Sequence, residues 1–364
     1  FKNYYRLKKL AVIHYLPVEF YPPVVNLLNT IAEKKLLNTK VWTTHNNKRR
    51  KVYHNNNLMS ISRTDAPKKG DNKIFRLVKY ALFNIKTFLG LLFFNPKVIL
   101  YYESYSAGPV YWYLKWFGDK NKRLFIHCHE YFDAQWYAEG MSLVKLYHIR
   151  EKNYLYPKAT WISQTNAQRV ALFLEDHPNI SKSKVHVIKN HPPNSWITLS
   201  TAKKGIKKNT NVPLKFVYIG SLSLENTFIR EFCNWVILKN GKVDFAIYAF
   251  NTSIDTHNYL SAINSEYINY LPVGVEYEKI PQILVKYDIG VILYKGNTLN
   301  AKLCVSNKLF EYLACGLEVW VTKEQEGSMS YLDRNRQPRI MLLDFENFDE
   351  TLIESYKNSK KLCS

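Results

Sequence analysis

The segment Ser306–Gly316, SNKLFEYLACG, is the most informative stretch of the chain. Ser306 is a favourable N-cap residue and Gly316 a favourable residue just beyond a helix end, so the segment predicts a helix of about two and a half turns. The free N–H groups and the positive dipole end at the start of such a helix can bind a phosphate or diphosphate.

Lys308 and Glu311 place opposite charges near the start of this predicted helix. Lys308 adds a cation beside the candidate anion site, and Glu311 lies three residues further along on the same face. A carboxylate at that position can accept hydrogen bonds from a ribose diol. An ordinary amphipathic helix with solvated charges explains the same residues, and the physics of the segment leaves both interpretations open.

On either side of this segment, short apolar runs alternate with helical stretches, which is typical of a parallel α/β sheet. The pattern predicts one doubly wound, Rossmann-like domain over residues 1–195 and a second over 213–350, joined by a polar, lysine-rich linker at 196–212. A last helix is predicted within 351–364. Ligands of such sheets bind at the carboxyl ends of the strands, so a central cleft between the domains is expected to hold the site.

Composition excludes several classes of protein. The chain has 364 residues, 46% of them apolar and 15% aromatic, which suits about two folded domains and excludes a disordered chain. Five cysteines without a CxxC pair argue against a disulfide framework and a structural zinc site, and they favour a reducing compartment. Since no run of about 18 uninterrupted apolar residues occurs, no membrane-spanning helix is predicted.

The basic charge is concentrated in the first half of the chain. The net charge is +21, and residues 1–200, with 31 basic and 12 acidic side chains, carry +19 of it. Such a field favours an anionic partner, either a membrane surface, an acidic glycan or a nucleic acid. The predicted helix from Lys73 to Phe94 combines four cations with a wide apolar sector, so it is interpreted either as a core helix or as one lying in a bilayer interface.

Four segments together resemble glycosyltransferases of the GT-B fold, most closely those of family 4. The stretch from Tyr287 to Trp320, YDIGVILYKGNTLNAKLCVSNKLFEYLACGLEVW, resembles the donor-binding half of that family. VYIGSL at Val217–Leu222 resembles the turn after the first strand of the second domain. HCHE at His127–Glu130 and VIKN at Val187–Asn190 resemble segments of the first domain. The four segments occur in the family's order and span most of the chain.

The resemblance implies an α/β protein of GT-B architecture, with a nucleotide-sugar donor on the second domain and an acceptor on the first. It also implies a retaining reaction, no metal or other cofactor, and a terminal helix packed back on the first domain. The donor-binding residues that it implies are Gly220, Ser221, Ser306, Asn307, Lys308, Glu311 and Asn190. For Asn190 the alternative is a turn-forming residue before Pro192 and Pro193.

His129 and Glu130 are the implied catalytic residues. His129 would contact the donor sugar or help to deprotonate the acceptor, and Glu130 would orient His129 or the incoming hydroxyl. A packed histidine and a helix-start carboxylate are the alternatives for these two positions. Glu19 and Glu103 follow predicted strands of the basic half and are expected to meet the acceptor.

The chain also departs from the family pattern. Leu303 stands where the family usually has the first Glu of an E-x7-E pair. The Arg and Lys that the family usually has after the glycine of the turn at Val217–Leu222 are absent, and Ser221 and Glu225 lie in that region. Arg230 can take over their role only if its side chain points at the cleft. The donor base, the sugar and the stereochemistry are therefore left open.

The predicted function is transfer of a sugar from a nucleotide diphosphate sugar to a glycan or lipid-linked acceptor in bacterial-type surface polysaccharide assembly. The predicted location is the cytoplasm, peripheral on the inner face of an anionic membrane. A GT-B fold epimerase and a basic nucleic-acid-binding protein are the alternatives. No nucleic-acid partner is expected, because the chain lacks helix-turn-helix, zinc-finger and RNP-like patterns.

Overall fold

The protein is described from a computed structural model covering residues 8–35, 37–45, 52–68, 70–118, 120–197, 212–333, 337–348 and 353. It divides into two compact units, Phe1–Pro193 (unit 1) and Asn194–Ser364 (unit 2). Most of the predicted linker, residues 198–211, lies outside the described residues. The predicted terminal helix within 351–364 also lies outside them, apart from Ile353.

Unit 1 contains, within its described residues, a seven-stranded parallel sheet of strand order β3-β2-β1-β4-β5-β6-β7. Its strands are β1 (Lys8–His14), β2 (Leu37–His45), β3 (Met59–Asp65), β4 (Val98–Tyr102), β5 (Arg123–Cys128), β6 (Trp161–Gln164) and β7 (Val185–Val187). The strand order reverses between β1 and β4, and the carboxyl ends of these two strands form the switch point at which doubly wound sheets bind ligands.

The helices of unit 1 connect these parallel strands. They are α1 (Pro22–Lys34), α2 (Lys73–Phe94), α3 (Ala107–Phe117), α4 (Ala134–Glu139), α5 (Ser142–Arg150), α6 (Tyr156–Lys158) and α7 (Ala167–Asp176). A π-helical stretch, Glu151–Leu155, joins α5 to α6. Because a parallel strand can be followed by another only through a crossover, these helices cover the two faces of the sheet.

Unit 2 repeats this plan with a six-stranded parallel sheet, in its described residues, of order β10-β9-β8-β11-β12-β13. The strands are β8 (Leu214–Gly220), β9 (Val243–Ala249), β10 (Ile268–Leu271), β11 (Ile289–Ile292), β12 (Glu318–Thr322) and β13 (Ile340–Leu343). The helices are α8 (Ile229–Leu238), α9 (Ile254–Ala262), α10 (Ile280–Leu284), α11 (Leu299–Leu303) and α12 (Asn307–Ala314). Here the switch point lies between β8 and β11.

The core of unit 2 brings α12 directly onto its sheet. β11 and β12 are buried along their whole length, as expected for parallel strands covered on both faces. Gly290 of β11 is required for this packing, because a Cβ there would lie 2.2 Å from the ring of Tyr312. The Tyr312 hydroxyl in turn accepts the Ile219 N–H at 3.1 Å, which ties α12 to β8.

The apolar pattern also predicts a helix from Ala107 to Phe117, and both this helix, α3, and α2 have the predicted bounds. The pattern does not predict α4, α9, α11 or β13. The three missed helices are short, and each begins at a polar cap rather than with an apolar repeat. Asp133 accepts the Trp136 N–H at 2.8 Å, Ser253 the Thr256 N–H at 3.3 Å and Thr298 the Ala301 N–H at 3.1 Å. Capping, which a periodicity search ignores, therefore defines these helices.

Among the described residues, α2 is the one helix that length and composition alone would allow to cross a bilayer. The sequence prediction of no spanning helix required an uninterrupted apolar run, which the cations of α2 break. Only 28% of the most apolar part of α2 is buried within the protein. The interpretation of α2 as a core helix is thus incomplete, because one of its faces is open.

Candidate functional site

The switch point of unit 2 joins the end of β8 to the start of α12. Gly220, the last residue of β8, has a φ of +133°, a conformation that side chains disfavour. A Cβ at this position would lie 2.9 Å from Cε and 3.2 Å from Nζ of Lys308. Gly220 was predicted to leave room for the donor, and in the structure it leaves room for the Lys308 side chain.

Lys308 projects into a cage of tyrosines. Its Nζ donates to the Tyr294 hydroxyl at 2.8 Å and lies 5.1 Å from the ring centre of Tyr218 and 5.0 Å from that of Tyr294. The ammonium is buried, yet no carboxylate lies within ion-pair distance of it among the described residues. Aromatic faces can stabilise such a cation only in part, so Lys308 keeps the ability to bind an anion.

Glu311 lies one turn further along α12 and is only 7% exposed. Burial raises the pKa of Glu311 to about 7, although the nearby Lys308 lowers it. Within the part of the chain that is described, its carboxylate has no hydrogen-bond partner. The carboxylate oxygens of Glu311 are not among the fully buried atoms that lack a partner, so a ligand with hydroxyl donors can reach them.

The start of α12 also has donors to spare. Ser306 is the N-cap residue, but its side chain makes no capping hydrogen bond. The Leu309 N–H donates to the Ser306 carbonyl at 3.0 Å, whereas the N–H groups of Asn307 and Lys308 have no acceptor within the helix. The predicted helix start and its free amides are therefore present, and the pair Lys308 and Glu311 lies beside them.

Other residues singled out in unit 2 are placed differently. Ser221 is exposed beyond β8, and its carbonyl accepts the Tyr218 hydroxyl at 2.7 Å. The Arg230 guanidinium stacks over the ring of Tyr259 at 4.6 Å. Leu303 is buried at the end of α11, so the position of the family's first Glu is filled here by an apolar side chain.

The switch point of unit 1 carries a cluster of histidines and tyrosines, which we call the histidine cluster: His14, Tyr21, Tyr102, His127 and His129. All of them are buried except Tyr21, which is half-buried. The His129 ring stacks on Tyr102 with centroids 4.9 Å apart and an interplanar angle of 7°. The His129 Nε2 is buried and has no hydrogen-bond partner among the described residues. His129 therefore offers one free ring nitrogen.

Burial makes the imidazoles of this cluster neutral. Desolvation lowers the pKa of both His14 and His127 to about 4. Desolvation, followed by the neighbouring His127 and His14, holds the pKa of His129 well below its ordinary value. Among the described residues, no group of three or more His, Cys, Asp or Glu side chains is arranged to hold a metal ion.

Glu103 builds the turn on which His129 lies. Its Oε1 accepts the N–H of His129 at 2.6 Å and the N–H of Glu130 at 3.2 Å. Burial, together with the charge of Glu130, raises the pKa of Glu103 to about 8. Arg169 completes the turn by donating to the His129 carbonyl. The sequence predicted an acceptor-binding role for Glu103, whereas in the structure its carboxyl group binds backbone N–H groups of the turn.

Glu130 and Glu19 differ in the contacts that their carboxylates make. Glu130 lines a small cavity of about 70 Å³ beneath the turn, and desolvation raises its pKa. Glu19 forms a 2.5 Å ion pair with Arg63 and accepts the Tyr53 N–H at 2.8 Å. The carboxylate of Glu19, also expected on the acceptor side, thus ties together two segments of unit 1.

Asn190 follows β7 near the end of unit 1. Its Oδ1 is buried without a hydrogen-bond partner among the described residues. Neither the donor-binding interpretation of Asn190 nor the turn-forming one accounts for this atom. Its role in donor binding stays a prediction.

Several residues of both switch points were missed by sequence reasoning: His14, Tyr21, Tyr102, Arg169, Tyr218 and Tyr294. His14 and Tyr102 are the last residues of β1 and β4, so their position at the carboxyl ends of central strands could have identified them. Tyr218 and Tyr294 offered no comparable signal, because only packing brings them around Lys308.

Comparison with solved structures identifies the fold. Sucrose-phosphate synthase from Thermosynechococcus elongatus matches with a TM-score of 0.63 and 11% identity, over 93% of this chain and 87% of that one. The lipopolysaccharide outer core galactosyltransferase WaaB matches with a TM-score of 0.58 and 12% identity, over 96% and 88%. Anabaena HepE in complex with UDP-glucose matches with a TM-score of 0.61 and 9% identity, over 96% and 91%.

These neighbours are glycosyltransferases of the GT-B fold, so the predicted GT-B type of α/β fold is confirmed. No protein-family model and no curated protein sequence matches the chain. At identities this low the structural likeness shows the fold alone.

Proposed function

We propose that this chain is a glycosyltransferase that moves a sugar from a nucleoside diphosphate sugar to a glycan or lipid-linked acceptor. The observation that carries the proposal is the arrangement at the start of α12. A buried, unpartnered Glu311 lies one turn from free helix amides, beside the buried cation of Lys308. Glu311 and the helix amides lack hydrogen-bond partners among the described residues, and Lys308 lacks a counter-ion there; a nucleoside diphosphate would supply both.

The diphosphate binds at the helix start in this proposal. The amides of Asn307 and Lys308 donate to its oxygens, and the Lys308 ammonium neutralises the charge that develops as the diphosphate leaves. Because the donors are held by the helix and by the tyrosine cage, they need little reorganisation. We propose that this arrangement serves without a divalent ion.

The ribose binds at Glu311. The two ribose hydroxyls donate to the Glu311 carboxylate. The pKa of Glu311 is about 7 in the free protein, and these hydrogen bonds favour its ionised form over its protonated form. The structural likeness to HepE, which was solved with UDP-glucose, supports uridine nucleotides as the first ligands to test.

The acceptor binds on unit 1. The neutral His129 lies at the switch point of this unit, and Glu130, which follows it in the chain, lines a small cavity there. The sequence resemblance supports membership of family 4 and a retaining outcome, and the cysteine pattern supports a cytoplasmic location. The likeness to the galactosyltransferase WaaB supports a role in surface polysaccharide assembly.

Titration calorimetry with UDP, UDP-glucose, GDP and GDP-mannose tests the donor site directly. We expect either the two uridine nucleotides or the two guanosine nucleotides to bind. A bound ligand present at 100 times its Kd should increase the free energy of unfolding by about 2.7 kcal/mol. Glu311→Gln should weaken that binding about 30- to 100-fold, since it removes a charged acceptor of two hydrogen bonds.

The matched control is Glu266→Gln, an exposed carboxylate of the same unit, which should bind as the wild type does. Binding of no nucleotide, or equal binding by Glu311→Gln, would overturn the proposal. If the protein converts the nucleotide sugar to its epimer in the absence of any acceptor, its function is that of an epimerase and not of a transferase.

A further inference from the structure

Helix α2 carries apolar side chains on its buried face and on its exposed face, and it also buries polar side chains. Its buried positions include Tyr80, Asn84 and Thr87, and the Asn84 Oδ1 has no hydrogen-bond partner among the described residues. Its exposed apolar side chains, which we call the outer stripe, are 45% to 86% accessible. They are Ile74, Phe75, Leu77, Val78, Leu82, Ile85, Leu89 and Phe93.

The outer stripe runs along one face of the helix. Val78, Leu82, Ile85, Leu89 and Phe93 follow one another at steps of three or four residues, the spacing of neighbours on one helix face. A patch of this extent on a folded protein marks an interaction surface, because leaving it in water costs free energy that burial would recover.

Aromatic residues of α3 extend the patch. Trp116 and Phe117 are 62% and 56% exposed, and their rings lie 5.4 Å and 6.3 Å from that of Phe88 in α2. Large aromatic rings at the border of an apolar face suit the boundary between acyl chains and headgroups.

The exposed charged side chains of α2 are positive, whereas its Lys79 pairs with Asp71, which lies just before the helix. Lys73, Arg76 and Lys86 are exposed on α2, which has no acidic residue. Beyond the C-terminal end of α2, an open depression of about 540 Å³ is lined by Lys8, Lys9, Asn95, Lys97, Val98, Asn121 and Arg123. The Lys9 Nζ donates to the Phe94 carbonyl at 2.9 Å, which joins this basic depression to the helix.

We propose that the outer stripe of α2 docks in the plane of an anionic bilayer, with the basic depression binding phosphate groups of the lipids. α2 stays on its sheet through Tyr80, Phe83 and Leu91, so the stripe lies along the bilayer surface. Charge complementarity selects this partner: a second copy of the chain would bring two strongly basic units together, whereas anionic lipid neutralises them. The inference does not depend on the proposed transferase.

Flotation of the full chain with vesicles tests the surface. The vesicles contain phosphatidylcholine alone, or phosphatidylcholine with about one third phosphatidylglycerol. We expect the wild type to float with the anionic vesicles. The triple variant Leu82→Ser/Ile85→Ser/Phe93→Ser should bind these vesicles about tenfold more weakly. Should this variant unfold, Ile74→Ser/Phe93→Ser, which changes the two most exposed positions of the stripe, gives the same test.

The matched apolar control is Ile254→Ser/Val273→Ser in unit 2, where the replaced side chains are 77% and 88% exposed. For the basic depression, Lys97→Ala/Arg123→Ala should reduce binding to anionic vesicles, whereas Lys242→Ala/Lys286→Ala should not. Wild-type flotation that the stripe variants leave unchanged, or no flotation at all, overturns the proposal. A wild-type dimer in light scattering that the stripe variants dissociate overturns it too, since the stripe then meets a second copy.

Discussion

Glu103 in unit 1 and Glu311 in unit 2 are both buried carboxyl groups near a switch point, and burial raises their pKa values to about 8 and about 7. They differ in their partners. Glu103 accepts two backbone N–H groups from the turn that carries His129, whereas Glu311 accepts none among the described residues. The same chemical group thus bonds to the backbone in one unit and makes no hydrogen bond to the described residues in the other.

The difference extends to the surrounding residues. In unit 1 the turn at 128–130 is held by Glu103 and Arg169, and the start of α7 is capped by Asn166. In unit 2 the start of α12 has no side-chain cap. A ligand can supply partners for such groups, and we therefore propose that the diphosphate binds at the start of α12.

The largest expected effect is a difference in stability between variants of Glu103 and of Glu311. Glu103→Ala leaves the buried amide of His129 and the part-buried amide of Glu130 without an acceptor, and it should lower the free energy of unfolding of unit 1 by about 2–3 kcal/mol. Glu311→Ala removes a desolvated carboxyl group with no partner, so its loss should stay within about 1 kcal/mol. Differential scanning calorimetry of both variants measures this. A loss in Glu311→Ala that equals the loss in Glu103→Ala would show that Glu311 also has a structural role.

A second effect sharpens the comparison through pH. With a pKa of about 7, Glu311 is mostly protonated at about pH 6 and mostly ionised at about pH 8. Only the ionised form accepts both ribose hydroxyls, so affinity for UDP-glucose should rise about five- to tenfold across that interval. Calorimetry at both pH values provides the measurement, and UDP-glucose is suitable because it does not titrate there. Glu311→Gln should flatten the profile; a variant with the wild-type slope would exclude Glu311 as the titrating group.

The smallest expected effect compares the two helix starts. The Asn166 Oδ1 accepts the Arg169 N–H at 2.9 Å, so Asn166→Ala should cost about 1 kcal/mol of unfolding free energy. Ser306→Ala removes no capping bond and should change stability by less than about 0.5 kcal/mol. Chemical denaturation of both variants tests the difference. Equal losses would mean that Ser306 caps α12 in solution after all.

Much of the fold could be predicted because its determinants are local. Alternating apolar runs indicate parallel strands and crossovers, and the bounds of α2 and α3 follow from the residues within them. The short helices α4, α9 and α11 escaped the pattern because a polar cap, rather than an apolar repeat, defines each of them. The candidate site was found in part: Lys308 and Glu311 could be singled out from their spacing, but their surroundings could not.

The sequence by itself determined that α12 begins after Ser306 with a lysine and a glutamate on one face, because cap residues and the helical repeat act over a few neighbours. It also determined that α2 is a helix that combines four cations with a wide apolar sector. Only the tertiary structure decided that Lys308 packs against Gly220 inside a tyrosine cage, that Glu311 is buried without a partner, and which face of α2 is open. Burial and pairing depend on residues that are distant in the chain and meet only when the sheets form, so periodicity cannot reveal them.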